Sequence, residues 1–214
     1  MDATLFDLDG TLIDSFVDIA RSANHARSVV GLPPLPERQI FGYVGEGAQR
    51  LIERTIGPEH PELFPQAMAA WREHYEVHCL DTTRPYPGVV EALQRMEGPK
   101  ALVTNKPGPA ARKLAEALGL APLLSAIVGG GDVANRKPDP EGCRLALSKL
   151  PRVERVVFVG DSVVDAQTAV NGGYGFVGVL WGMGTRDTLS ACGAKVFAER
   201  AEELPEACRR ARLP

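Results

Sequence analysis

An apolar run that leads directly into two acidic residues is the feature that most constrains the fold of this chain. Residues 4–15 read Thr-Leu-Phe-Asp-Leu-Asp-Gly-Thr-Leu-Ile-Asp-Ser, so a short predicted strand meets Asp7 and Asp9. Two carboxylates on one side of a strand repel each other unless a cation lies between them. An acidic pair before a glycine is also a common turn signal. The segment alone leaves two alternatives, a simple turn or a site for a divalent cation such as Mg²⁺.

Composition sets the size of the fold and excludes some functions. A chain of 214 residues with 44% hydrophobic residues can bury the core of one full domain and a smaller one. The net charge of −3, without a Lys/Arg-rich run, argues against a nucleic-acid partner. The four cysteines form no close pair, which fits reduced thiols. Without a signal-peptide pattern or an apolar run of membrane-spanning length, we expect a cytoplasmic protein with no membrane partner.

Hydrophobic periodicity divides the chain into a helical part and a part in which strands and helices alternate. Residues 16–82 show helical spacing. From residue 84 onward, short β-branched runs alternate with helical patterns, which predicts a doubly wound parallel sheet covered on both faces. The gap between the first strand and the next, near residue 100, is about three times what one strand-helix-strand unit requires. We therefore predict an α/β core formed by 1–15 and 83–214, with 16–82 inserted as a helical cap.

Polar residues follow the predicted strands of the core. Ligands of an open parallel sheet bind beyond the carboxyl ends of its strands, so these residues are expected to meet. They are Asp7 and Asp9, Thr104-Asn105-Lys106, Asp132, and Asp161 with Asp165, and Lys137-Pro138 lies between the last two strands. Acids for a metal ion, hydroxyl and amide donors and a lysine are the groups that phosphoryl transfer requires.

Four short motifs, in this order, resemble those of the haloacid dehalogenase superfamily of phosphohydrolases. They are Asp7-x-Asp9-Gly10-Thr11, Thr104-Asn105, Lys137-Pro138 and Gly160-Asp161-Ser162-x-x-Asp165. The resemblance covers nearly the whole chain. It implies a Rossmann-like parallel sheet with an inserted helical cap, and a phosphatase that depends on Mg²⁺.

The resemblance also implies roles for the matched acids. Asp7 would be the nucleophile that becomes an aspartyl phosphate, and Asp9 would be the general acid and then the general base. The carboxylates of Asp7 and Asp161 and the backbone carbonyl of Asp9 would hold Mg²⁺, and Asp165 would support them. The dehalogenase branch is expected to lack an acid two residues after its nucleophile, so Asp9 favours phosphate esters. The branch that cleaves phosphonates relies on a Schiff-base lysine from its cap, so the absence of lysine from 16–82 disfavours that branch.

The remaining matched positions are expected to bind the phosphoryl group and the rest of the substrate. Thr104 and Lys137 would hold the phosphoryl oxygens, and Asn105 would add an amide donor. Thr11, Asn105 and Lys106 are therefore candidate substrate-binding residues. Lys106 is also a candidate for contact with the cap alone.

The predicted cap resembles that of phosphoglycolate phosphatases. This narrower resemblance rests on the glycine-rich run within residues 42–54, on Tyr86-Pro87-Gly88 and on residues 104–107. A substrate carboxylate would favour an arginine fork, and Arg50 and Arg54 are the candidates because they follow the glycine-rich turn. The alternative for both arginines is a solvated helix face.

We therefore expect a Mg²⁺-dependent phosphatase, monomer or homodimer, that acts on a small phosphorylated metabolite, with 2-phosphoglycolate as the best candidate. A sugar-phosphate mutase, a pyrophosphatase or a broad-specificity phosphatase would share the same core motifs. A non-enzymatic switch phosphorylated at Asp7 is a further alternative, although such a switch needs neither Asp9 nor a large insertion.

Overall fold

Eight β-strands are described within residues 1–212 of this protein, in a computed structural model. They are β1 (Asp2–Phe6), β2 (Ile13–Asp14), β3 (Arg84–Pro85), β4 (Lys100–Pro107), β5 (Ala126–Gly130), β6 (Arg155–Gly160), β7 (Gly175–Val179) and β8 (Val196–Ala198). Six of them form a parallel sheet in the order β5-β4-β1-β6-β7-β8, and β2 pairs with β3 in a separate two-stranded sheet. The predicted α/β class with a parallel sheet is confirmed.

Ten α-helices are described within residues 1–212. They are α1 (Phe16–Val29), α2 (Glu37–Phe41), α3 (Ala48–Ile56), α4 (Phe64–His78), α5 (Val89–Arg95), α6 (Gly108–Ala117), α7 (Glu141–Ser148), α8 (Val163–Gly172), α9 (Arg186–Ala191) and α10 (Leu204–Ala211). None of them combines the length and the apolar character that crossing a lipid bilayer requires.

The strand β1 lies inside the sheet and is buried on both faces. Leu5 packs in a cluster with residues of α7 and α8, whereas Phe6 packs in a second cluster with residues of α5, α6 and α10. Successive side chains of a strand point to opposite faces, so burial on both faces requires the near-continuous apolar run that the sequence has here. This strand delivers Asp7 to the carboxyl edge of the sheet.

Residues 16–82, which we call the helical segment, contain α1 to α4. The helices α1 and α4 pack against each other, and their buried side chains share one hydrophobic cluster with the sheet. The pairing of Ile13 with Pro85 and of Asp14 with Arg84, in β2 and β3, brings together the two places where the chain enters and leaves this segment.

Asp18, on the first turn of α1, joins the same two places. Its buried carboxylate accepts hydrogen bonds from the backbone N–H and hydroxyl of Thr82, at 2.9 and 2.6 Å, and of Thr83, both at 2.8 Å. Burial acts to raise the pKa of Asp18, but these hydrogen bonds outweigh it and the net pKa is lowered. An ionised Asp18 therefore holds the start of the helical segment against its end.

The structure also differs from the sequence-based expectations. Strand β1 ends at Phe6, directly before Asp7, because the chain turns after it and Leu12 N–H bonds to the Leu8 carbonyl at 2.9 Å. The short elements β2, β3, β8, α9 and α10 were not predicted. Residues 213 and 214 of the predicted core lie outside the described range.

Three histidines stack on one another between α1 and α4. The ring of His74 lies 4.3 Å from that of His25 and 4.2 Å from that of His78, measured between centroids. His74 Nδ1 is 3.0 Å from the Ser22 hydroxyl, and His78 Nδ1 is 2.8 Å from the carboxylate of Asp81. Burial, followed by the charges of His25 and His78, lowers the pKa of His74, while Asp81 acts in the opposite direction.

The stack predicts that acid destabilises the protein through His74. A histidine with a lowered pKa in the folded state binds a proton more readily when unfolded, so stability falls as the pH drops through the ordinary histidine range. We expect the decrease in Tm between about pH 7.5 and about pH 5.5 to be smaller in His74→Gln than in wild type. His60→Gln, outside the stack, is the control. Equal pH dependence of Tm in wild type and His74→Gln would contradict this prediction.

Candidate active site

The candidate active site lies at the carboxyl edge of the sheet, where β1, β4 and β6 end next to one another. Asp7 follows β1, residues 104–106 belong to the end of β4, and Asp161 follows β6. Lys137, from the loop between β5 and α7, and Asp165, from the first turn of α8, reach the same place. The parallel arrangement of the strands therefore assembles residues that are far apart in sequence.

Three buried carboxylates form the acidic cluster of this site. Oxygens of Asp7, Asp161 and Asp165 all lie within 4.8 Å of one another. Burial is the largest effect on both Asp7 and Asp161 and raises their pKa values, and the repulsion from neighbouring acids adds to it. The nearby ammonium group of Lys137 partly offsets these effects at Asp7.

Lys137 is the cation that faces this cluster. Its buried Nζ is 2.7 Å from Asp7 Oδ1 and 2.7 Å from Asp165 Oδ1. The other oxygen of Asp165 accepts hydrogen bonds from the backbone N–H and hydroxyl of Ser162, at 3.0 and 2.6 Å, in the capping box that begins α8. Asp165 is thus fully used within the protein, whereas Asp7 Oδ1, within residues 1–212, has no aligned hydrogen bond.

Asp161 is positioned from two directions. The hydroxyl of Thr11 donates to Asp161 Oδ1 at 3.1 Å, and the backbone N–H of Met183 donates to Asp161 Oδ2 at 2.8 Å. Trp181 Nε1 in turn donates to the Thr11 carbonyl at 3.0 Å. Gly10 has a φ of +84°, and a Cβ there would overlap the carboxylate of Asp161. The contact places Thr11 in support of Asp161.

The loop that carries Trp181 and Met183 is not among the site residues predicted from the sequence. It directly follows β7, at the same edge of the sheet as the other motifs. Its signal is the pair of glycines two apart, Gly182 and Gly184, which directly flank Met183. Glycines at a strand end mark a close approach of backbone, and both lie against Asp161.

The charges of the site fit a divalent cation. The carboxylates of Asp7, Asp161, Asp165 and the adjacent Asp9 outnumber the ammonium groups of Lys106 and Lys137 by four to two. Two negative charges therefore stay uncompensated when all six groups are ionised, and an uncompensated buried charge is strongly unfavourable. Oxygen ligands are those that hard cations such as Mg²⁺ prefer. In the part of the chain that the structure describes, Asp7 Oδ1 has no aligned hydrogen bond, and each oxygen of Asp161 accepts one hydrogen bond and keeps a second lone pair.

Asp9 points away from the acidic cluster. Its carboxylate lies 2.9 and 3.1 Å from Lys106 Nζ and accepts a hydrogen bond of 2.5 Å from the Ser15 hydroxyl. Lys106 Nζ also sits 4.7 Å from the ring centroid of Tyr75, on α4. Burial acts to lower the pKa of Lys106, but the pairing with Asp9 outweighs it, so the pKa is raised. The side chains of Asp7 and Asp9 thus have separate partners and separate surroundings.

A small cavity lies between the helical segment and the sheet. It measures about 40 Å³ and is lined from the helical segment by Ile19, Val44, Leu51 and Trp71, and from the core by Asp7, Asp9, Thr104 and Lys106. A site of about 10–15 Å³ on this measure holds one water molecule, so the cavity has room for only a few of them. Groups from both the helical segment and the sheet therefore surround the same narrow space.

The β4 end supplies Thr104 and Asn105 to the site. Thr104 lines the cavity, and its hydroxyl oxygen accepts a 3.2 Å hydrogen bond from the backbone N–H of Lys106. The side-chain N–H groups of Asn105 are already donated to the carbonyls of Gly45 and Lys137, each at 3.0 Å. In this arrangement the side chain of Asn105 therefore has no free N–H group to donate to a phosphoryl oxygen.

Arg50 and Arg54 do not reach the cavity. Arg50 is 63% exposed and pairs with Glu53 at 2.9 Å, and Arg54 is 40% exposed and pairs with Glu46 at 2.5 Å. Both lie on the solvent face of α3, because Leu51 and Ile52 occupy its buried face. This placement corrects the expectation that either arginine forms a fork for a substrate carboxylate. The structure brings the other predicted site residues together except Asp132, whose carboxylate pairs with Arg112 at 2.8 Å instead.

Comparisons with known proteins give a consistent family. A family model of haloacid dehalogenase-like hydrolases matches residues 1–173. A phosphoglycolate phosphatase of Cereibacter sphaeroides is 39% identical over 187 residues, covering 82% of this chain and 84% of that protein. One from Vibrio cholerae is 39% identical over 188 residues, covering 83% of each chain. The crystal structure of a predicted phosphoglycolate phosphatase from Haemophilus somnus is 27% identical with a TM-score of 0.85, covering 95% of this chain and 96% of that chain.

The acidic cluster predicts opposite effects of one substitution in the absence and presence of Mg²⁺. Asp161→Asn removes a buried charge that repels its neighbours, so it should raise the Tm of the metal-free protein. It should also remove most of the increase in the free energy of unfolding that Mg²⁺ gives the wild type, which is about 2.7 kcal/mol at a concentration of about 100 times Kd. Thermal unfolding with and without Mg²⁺ measures both effects. Asp14→Asn, at an exposed acid of β2, is the control, and an equal Mg²⁺ response in Asp161→Asn would contradict the site.

Proposed function

The chain belongs to the haloacid dehalogenase-like hydrolases, and from this membership and the geometry of the site we propose that it hydrolyses a small phosphate monoester through an aspartyl phosphate on Asp7. The observation that supports this most is the placement of Asp7. It lies 2.7 Å from the ammonium group of Lys137 and belongs to the acidic cluster, while Asp9 is held separately by Lys106 and Ser15. One carboxylate is thereby available for attack and another for proton transfer.

In the first proposed step, a carboxylate oxygen of Asp7 attacks phosphorus and the bond to the ester oxygen breaks. Asp9, protonated at that stage, gives its proton to the departing alkoxide. Lys137 and the hydroxyl of Thr104 stabilise the charge on the phosphoryl oxygens during this transfer. Asp165 has its charge satisfied by Lys137 and Ser162, and it therefore fixes the position of the Lys137 ammonium group.

In the second proposed step, water attacks the phosphorus of the aspartyl phosphate. Asp9, now ionised, takes the proton of that water, and the bond between phosphorus and the Asp7 oxygen breaks to release inorganic phosphate. Mg²⁺, held by the carboxylates of Asp7 and Asp161 and the backbone carbonyl of Asp9, would supply positive charge that offsets the repulsion between phosphate and carboxylates. Thr11 and Met183 keep Asp161 oriented for that role.

We propose that the helical segment acts as a cap that admits the substrate and then excludes water. The small size of the cavity between the helical segment and the sheet supports this, because the reaction needs both access and a dry site. The curated relatives named phosphoglycolate phosphatases make 2-phosphoglycolate the best candidate substrate. Of the residues lining the cavity, Lys106 carries the positive charge, so it replaces Arg50 and Arg54 as the candidate partner of a substrate carboxylate.

The proposed roles of Asp7 and Asp9 predict the activities of two variants. Asp7→Asn should abolish phosphate release from 2-phosphoglycolate because an amide is a poor nucleophile at phosphorus. Asp9→Asn should still bind Mg²⁺ but lose turnover of 2-phosphoglycolate by on the order of 10²-fold or more, as expected for removal of a general acid. Inorganic phosphate is measured with and without Mg²⁺. Turnover that is undiminished in Asp7→Asn, or absent from wild type on every phosphate ester tested, would exclude the proposal.

The proposed role of Lys106 predicts a change in substrate preference. Lys106→Met disturbs Asp9 whichever substrate is used, so kcat should fall for all esters. The value of kcat/KM for 2-phosphoglycolate relative to ethyl phosphate should fall by a further tenfold or so, about 1.4 kcal/mol, since both release an alkoxide that needs the proton of Asp9 but only the former has a carboxylate. Lys113→Met, which changes a lysine of α6 that bonds to the Glu76 carbonyl, is the control. An unchanged ratio in Lys106→Met would show that Lys106 does not bind the carboxylate.

A further inference from the structure

The side-chain amide of Asn105 joins two segments that come from opposite sides of the active site. One is the glycine turn, residues 45–47, in the helical segment before α3. The other is the lysine loop, residues 136–139, which carries Lys137. We propose that Asn105 is a positioning residue that couples these two segments, so that seating of the glycine turn on the sheet orders Lys137 for phosphoryl transfer. The catalytic part of this inference rests on the proposed function, whereas the coupling itself is a property of the fold.

The contacts of Asn105 use the chemistry of a primary amide. Its Oδ1 accepts a hydrogen bond of 2.9 Å from the backbone N–H of Lys137. Its Nδ2 donates one N–H to the Lys137 carbonyl and the other to the Gly45 carbonyl, each at 3.0 Å. Asn105 is only 5% exposed, so water does not readily replace any of these partners. A carboxylate or a hydroxyl of similar size could not donate twice and accept once in this way.

Gly47 provides a second contact between the same segments. A Cβ at this position would lie 3.1 Å from the backbone carbonyl oxygen of Asn105 and 3.1 Å from Nη1 of Arg136, the residue before Lys137. The backbone of the glycine turn is therefore in direct contact with both β4 and the lysine loop. Gly47 also has a φ of +91°, which a residue with a side chain rarely adopts.

The position of the glycine turn affects Lys137 because one NH₂ group serves both segments. If the turn withdraws, the N–H that pointed at Gly45 is left buried without a partner, and the amide can rotate away from Lys137 to satisfy it. Lys137 Nζ holds Asp7 and Asp165 at 2.7 Å each, so a small shift of its backbone alters both ion pairs. Closure and catalytic geometry are thereby coupled through a single side chain.

Asn171 offers a matched control. It lies on α8 and donates its side-chain N–H to the Pro138 carbonyl at 2.9 Å, so it holds the lysine loop from the other side. Its remaining recorded side-chain partner, within residues 1–212, is Gln167 on the same helix, and the glycine turn is not among its partners. Asn171→Ala therefore loosens the same loop without touching the helical segment.

Hydrogen-deuterium exchange measured by mass spectrometry tests the coupling without relying on activity. In Asn105→Ala we expect faster amide exchange than in wild type both in peptides covering the glycine turn and in peptides covering the lysine loop. In Asn171→Ala we expect faster exchange in the lysine loop only. In wild type, inorganic phosphate with Mg²⁺ should slow exchange in both segments, and in Asn105→Ala it should slow exchange in the lysine loop alone.

Exchange in the glycine turn that stays at the wild-type rate in Asn105→Ala would overturn the proposal, as would slowing of both segments by phosphate and Mg²⁺ in that variant. If Asn105→Ala does not fold, Asn105→Asp gives the same test, because it keeps the acceptor for the Lys137 N–H and removes both donated bonds. Assays with p-nitrophenyl phosphate add the catalytic part, with kcat expected to fall at least tenfold in Asn105→Ala and less than threefold in Asn171→Ala. Equal losses would overturn the catalytic part. A wild type that hydrolyses no phosphate ester would refute the proposed function while leaving the exchange result to decide the coupling.

Discussion

The buried contact of Lys137 with Asp7 and Asp165 is the interaction on which the rest of this site depends. Charges out of water are tolerated only when they are paired and hydrogen-bonded, so each partner of this group needs its own support. Ser162 donates hydrogen bonds to Asp165, and the Asn105 side chain bonds to both the backbone N–H and the carbonyl of Lys137. The lysine does not balance all the acids, and the remaining negative charge is what fits the site to the divalent cation that we propose. Charge balance thus explains why loops after three different strands meet here.

The second property that we propose for the site, control of access, depends on the relation between the helical segment and the sheet. Both share one hydrophobic cluster, which favours the closed arrangement with its small cavity. The chain crosses between them at β2 and β3, and Asp18 ties those crossings to Thr82 and Thr83. Buried hydrogen bonds of Asp18 and Asn105 contribute to the contacts at the crossings and at the glycine turn, whereas α1 and α4 pack through apolar side chains. Movement is therefore expected to occur at the polar contacts, with the helices moving as a unit.

Several features were predictable from sequence because they follow from the sheet. Strands β1, β4 and β6 are buried on both faces, so they appear as apolar runs, and residues after them must meet at one edge. Other features carry no such pattern. Arg50 and Arg54 share a helix face opposite the apolar one, but helical spacing does not say whether that polar face meets substrate or solvent. The structure shows that it meets solvent, where the two arginines pair with Glu53 and Glu46. The partners of Asn105 are backbone carbonyls, which have no sequence signature. The short elements β8, α9 and α10 lack enough residues for a period. The division into core and cap stays a prediction.

In the proposed mechanism, Asp7 becomes covalently phosphorylated. Release of p-nitrophenolate by Asp9→Asn from p-nitrophenyl phosphate with Mg²⁺ is the sharpest test of this step. The p-nitrophenolate leaving group needs no proton, so the first step should proceed, while hydrolysis of the intermediate lacks its base. If Asp7 is the nucleophile, we expect a burst of about one p-nitrophenolate per protein chain. Mass spectrometry of the quenched sample should then place one phosphoryl group on the peptide that contains Asp7. A phosphoryl group on another residue, or steady turnover with no burst and no modified peptide, would show that Asp7 is not the nucleophile.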